Sequence, residues 1–152
     1  MGRRALVLAA VAGLLGTALV LSLVDQRLRA GEDRALEACG DRAYAAAVRA
    51  DSVLGSMAEY VRPSIAERSG LWVLMSEAAE RARPPIDAAL AVCEDVQVRA
   101  VHRTHVRERA AYVDYLTARR DRLDAIVADG RASAESDPAL ARLREAAFGD
   151  RP

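Results

Sequence analysis

The sequence predicts an all-α protein: an N-terminal transmembrane helix continuous with an antiparallel bundle of three to four helices, packed like a coiled coil. Three observations predict it. Residues 5–24, ALVLAAVAGLLGTALVLSLV, carry no charge and are flanked by Arg3-Arg4 and Asp25; about 20 residues at 1.5 Å rise span roughly 30 Å, the thickness of a bilayer's hydrocarbon core. From Leu36 onward, apolar residues recur at heptad spacing. Aromatics are scarce, with one Trp, one Phe and four Tyr in a chain that is 52% hydrophobic, so the core must come from thin, closely approaching helices.

The first element is read as an uncleaved signal anchor over residues 1–24. A cleavable signal peptide has a shorter apolar region and small residues before the cut, whereas the nearest candidate here is Leu28-Arg29-Ala30. A lipoprotein signal needs a cysteine directly behind the apolar run, and the first one is Cys39. Arginines lie on both sides, Arg3 and Arg4 before and Arg27, Arg29 and Arg34 after, so counting them does not choose an orientation. Long domains cross the membrane largely regardless of charge, which assigns the remainder of the chain to the extracytoplasmic side.

The bundle is assigned to residues 25–130. On its first helix Leu36, Ala43, Ala50 and Met57 form one column of the seam, and Cys39, Ala46, Val53 and Tyr60 the other. No proline interrupts residues 5–62; Gly31 is the weakest point and Pro63 the stop. Residues 62–70 read as a connection holding one turn, with a Ser64 and Glu67 capping box. Residues 71–83 are amphipathic through Leu71, Leu74, Met75, Ala78 and Ala82, and Pro84-Pro85 is predicted to break that helix. A third helix is predicted over residues 86–128, ending at Gly130. Its stripe of Ile86, Leu90, Cys93 and Val96 resumes at Val113, Leu116, Leu123 and Val127. Residues 97–109 are too polar for a core face, so a kink, a drift of the buried face or exposure is expected there. Residues 131–152 are read as a linker and a short C-terminal helix over 138–148, capped by Asp137 with Pro138 in its first turn.

Cys39 and Cys93 both lie on apolar stripes, and their midpoint, residue 66, falls in the predicted connection, so an antiparallel hairpin brings them level. A disulfide follows if the domain is exported; two buried thiols acting as small hydrophobes are the alternative. No C-x-x-C motif supports a redox role.

His102 and His105 share a helical face with Glu108 roughly alongside, a geometry a metal ion uses. Two imidazoles make only half a zinc site, and the surrounding arginines oppose a cation, which favours a simple histidine pair. Those arginines, Arg99, Arg103, Arg107 and Arg109, form the one concentrated basic segment. Extending the hairpin register sets residue 99 opposite 33 and residue 107 opposite 25, beside the membrane, where anionic lipid or another polyanion would be attracted. The alternative is a solvated face paired with Asp25, Glu32 and Asp33. Trp72 sits in the unbroken apolar run LWVLM, which serves core packing or an interaction patch.

Several function classes are excluded. With 22 basic and 22 acidic residues there is no global charge for nucleic acid, and no aromatics interleave the arginines. Nucleophile elbow, phosphate loop, zinc-protease and kinase patterns are absent, as is the C-x-x-C-H of a c-type haem. The sequence thus predicts a non-enzymatic protein without cofactor: a membrane-anchored helical interaction or structural module of the cell envelope, whose partners are the lipid bilayer and a protein of the membrane or envelope. The alternative is a ligand-sensing helical ectodomain that acts with a separate signalling partner.

Overall fold

The computed structural model describes residues 3–58, 61 and 70–149, with side chains from residue 13 onward. Among these the protein is all-helical: α1 spans Arg3–Ala58, α2 Trp72–Asp95, α3 Arg103–Ala128 and α4 Pro138–Phe148, with a 3₁₀ helix over Gly130–Ala134. The chain divides into two compact units, Met1–Arg34 and Ala35–Pro152.

In the first unit the chain is helical through Gly31. Its leucines are bare, Leu14 being 71% and Leu21 66% exposed, and Arg29 pairs with Asp25 one turn earlier at 2.8 Å. Among the described residues no helix is long and apolar enough to cross a membrane. The side chains of residues 5–12, the first part of the apolar run, lie outside the described residues.

In the second unit the heptad seam of α1 is inside: Leu36, Cys39, Ala43, Ala46 and Ala50 are buried. Ala47 is buried with them, widening the seam into the broader stripe of a globular bundle. Met57 and Val53 are only partly covered. Tyr60, Pro63 and the Ser64 and Glu67 capping box lie outside the described residues.

The predicted break at Pro84-Pro85 is corrected: both prolines lie inside α2. An interior proline removes a backbone donor and crowds the carbonyl four residues back, at about 3 kcal/mol. Here the affected carbonyls belong to Glu80 and Arg81, at exposed positions that water reaches. Meanwhile the buried stripe of Met75, Ala78, Ala79 and Ala82 continues in phase through Ile86, Ala89, Leu90 and Cys93. Burial of that whole face outweighs the local penalty.

The long third helix is corrected as well. The backbone leaves the helix after Asp95 and re-enters at Arg103, so the polar interval is a full reversal and not a kink. Arg109 then donates from Nε to the Cys93 carbonyl at 3.1 Å, and Ser76 donates to the Ile126 carbonyl at 3.0 Å, so α3 runs antiparallel to α2. The expected register assumed one helix continuing past residue 95; instead the chain turns back and Arg109 returns to the level of Cys93. The buried face of α3 is also rotated from the one expected, comprising Tyr112, Tyr115, Leu116, Leu123 and Ile126, with Val113 and Val127 only partly covered.

α4 begins as its local sequence dictates: the Asp137 carboxylate accepts from the backbone N–H groups of Ala139 and Leu140 at 3.1 and 2.9 Å. It then buries Leu140 and Phe148. Phe148 lies 5.0 Å from Tyr115 and 5.5 Å from Tyr44, both edge-on, and 6.0 Å from Tyr112. The few aromatics therefore meet in one cluster, and the C-terminal helix lies in the compact unit Ala35–Pro152.

Candidate functional site

Cys39 and Cys93 form a disulfide with Cα atoms 5.0 Å apart. Both residues are 0% exposed, so the bridge is a core clamp between α1 and α2 and offers no surface to a thiol.

The basic segment is built around the reversal between α2 and α3, and its four arginines divide into two kinds. Arg109 is structural: beside its bond to Cys93, its Nη2 donates to the Glu94 carbonyl at 2.6 Å, so one guanidinium satisfies two carbonyls that the end of α2 leaves unpaired. Arg99 is 3.2 Å from Nε2 of His102; because a guanidinium only donates, that nitrogen is the acceptor, and its lone pair is taken. His102 is buried and stacks edge-on against His105 with ring centroids 5.5 Å apart. Glu108, the third ligand considered from the sequence, accepts from the Tyr112 hydroxyl at 3.3 Å. Arg103 and Arg107 are of the other kind. Both are exposed, and neither has an ion pair among the described residues. They flank a surface groove of about 390 Å³ with Val98, Ala100 and Val106. Val101 and Val106 are 76% and 41% exposed beside them. The reversal thus presents two open cations among bare apolar side chains.

A second concentration of arginines, absent from the sequence reading as a site, surrounds a cleft where α1 ends. Arg119 and Arg144 both donate to Asp51, Arg144 Nη1 to Oδ2 at 2.5 Å and Arg119 to Oδ1. The Asp51 contact is the largest influence on Arg144, whose pKa it raises. Arg122 donates to the backbone carbonyls of Ala132 and Glu135, the latter at 2.6 Å. Arg119 Nε is buried with no hydrogen-bond partner among the described residues. Tyr115 lines the same cleft, and burial pushes its pKa upward, against a smaller lowering influence from Arg119. The sequence gives no site role to Asp51, Arg119, Arg122 or Arg144. Arg119 and Arg144 lie 68 and 93 positions from Asp51, and no local pattern announces that pairing.

Trp72 is partly buried against the core, which supports packing for that side chain. Comparison with protein-family models, with curated proteins and with solved structures finds no match to this chain.

Proposed function

We propose that the protein is a membrane-anchored, non-enzymatic helical module of the cell envelope, with its bundle outside the cytoplasm and its partners the lipid surface and a membrane or envelope protein. The observation that carries the reading is the Cys39–Cys93 disulfide, since such bridges persist in oxidising compartments. The apolar run over residues 5–24 supports attachment: the bare Leu14, Leu15, Leu19 and Leu21 are unfavourable in water and favourable in lipid. Arg103 and Arg107 beside Val101 and Val106 form a surface suited to the interfacial zone, where anionic headgroups meet the cations and the valines enter the acyl boundary. An anchor in the same chain keeps that surface at high local concentration near the bilayer, so a weak contact suffices.

Alkaline carbonate extraction of membranes tests the attachment. The full chain stays in the pellet, and a chain lacking residues 1–24 is released; release of the full chain would refute the anchor. A second reading, a ligand-sensing ectodomain working through a separate signalling partner, is favoured by one specific observation, the arginine-lined cleft.

A further inference from the structure

The cleft where α1 ends has a volume of about 390 Å³, within the range of small-molecule sites. Its lining has two characters. Leu54, Met75, Ile126 and Leu140 supply an apolar wall, and Tyr115 with Arg119, Arg122 and Arg144 supplies donors.

The cleft gathers charged groups of both signs. One carboxylate, Asp51, serves two guanidinium groups, those of Arg119 and Arg144. Arg122 is held chiefly by neutral backbone carbonyls, its nearest carboxylate being that of Glu135 at 3.7 Å, on a side chain 74% exposed. Asp137 also lines the cleft, its carboxylate accepting from the first N–H groups of α4 and keeping its negative charge. The pocket thus sets three guanidinium groups and three carboxylates, those of Asp51, Glu135 and Asp137, beside its apolar wall. It also contains an unmet donor: Arg119 Nε is buried and has no acceptor among the described residues. Leaving a buried donor of a charged group unpaired is costly, and an oxygen of a bound anion would satisfy it.

We infer that this cleft binds a small apolar carboxylate, its carboxylate group on Arg119 and Arg144 and its hydrocarbon part against Leu54, Met75, Ile126 and Leu140. A guanidinium fork matches the planar carboxylate, and the apolar wall distinguishes such a ligand from inorganic phosphate or acetate. The inference deepens the second reading above. Membrane attachment plays no part in it, so the extraction result and the binding result stand separately.

The test is calorimetric titration of the full chain, in zwitterionic detergent with a detergent-only blank, using hexanoate, 1-hexanol, acetate and inorganic phosphate. Hexanoate is expected to bind, and the other three to bind at least about tenfold more weakly. Arg144→Gln is expected to weaken hexanoate by about tenfold. Because Arg144 also holds Asp51, a second variant is needed: Ala141→Phe, at an exposed position on the cleft wall, blocks binding without touching the core. Hexanol binding as tightly as hexanoate would overturn the carboxylate assignment, and phosphate or acetate doing so would overturn the apolar one. Absence of hexanoate binding, or binding indifferent to both variants, would overturn the site itself.

Discussion

The carbonyl oxygen of Trp72 occupies the space over Gly130: a Cβ placed on that glycine would lie 2.0 Å from it, with the carbonyl carbon at 2.8 Å. Among the described residues only Gly70 and Gly149 have positive φ, so Gly130 is required by the approach of α2's first turn and not by a left-handed cap. The neighbour is backbone and cannot swing aside. Gly130→Ala is therefore expected to destabilise the bundle by about 1–3 kcal/mol, read as a lower urea midpoint at unchanged slope.

The disulfide closes a separation of 54 residues in the core. On the chain-entropy model its loss costs about 4 kcal/mol, through greater freedom of the unfolded chain. Denaturant titration of the oxidised chain and of the chain reduced while unfolded and then refolded should show a midpoint shift of that order, while the helical signal at zero denaturant persists because the two thiols remain packed.

Tyr115 links stability to alkaline pH. Burial raises its pKa above the ordinary 10.0, so as pH rises the unfolded chain loses this proton before the folded one does. The contribution is complete below pH 10.0 and is lost as pH climbs through the folded-state value. Tyr115→Phe is expected to flatten the decline of the urea midpoint measured from about pH 8 to about pH 11, relative to the parent chain.

Asp51 and its two arginines separate burial from exposure. The Arg119 side chain is 11% exposed and that of Arg144 41%. Asp51→Asn strands the buried partner and is expected to cost about 1–3 kcal/mol, whereas Arg144→Gln removes a largely solvated pair at less than about 1 kcal/mol. Equal costs in thermal denaturation would contradict this ordering.

Local signals were legible in this sequence, and tertiary ones were not. The start of α4 follows from Asp137-Pro138 because a cap and a first-turn proline are complete within four residues of chain. The α1 seam and the level placement of Cys39 with Cys93 follow from heptad spacing and one turn position. Pro84-Pro85 misleads because the penalty is local while the compensation is a stripe of buried residues extending well to both sides. Val96 marks where the α2 stripe ends, but nothing in residues 97–102 says that the chain turns back instead of bending. The cleft was invisible for the same reason: Asp51 is one carboxylate among 22 acidic residues, and its pairing with Arg119 and Arg144 exists only once α3 and α4 are in place.

Arg103 and Arg107 are expected to hold the reversal against anionic lipid. With the full chain in nanodiscs and a fluorophore on Val101→Cys, headgroup spin labels should quench more in phosphatidylglycerol than in phosphatidylcholine. Arg103→Glu with Arg107→Glu should erase the difference.

The same Val101→Cys chain, unlabelled, tests the central claim, that the bundle stands outside the cytoplasm on a membrane anchor. Its native cysteines are joined to one another, and position 101 is 76% exposed, so the new thiol is the one accessible to reagent. A membrane-impermeant maleimide applied to intact spheroplasts should label it fully, with no gain on lysis. Labelling that appears only after lysis would put the bundle in the cytoplasm and contradict the account.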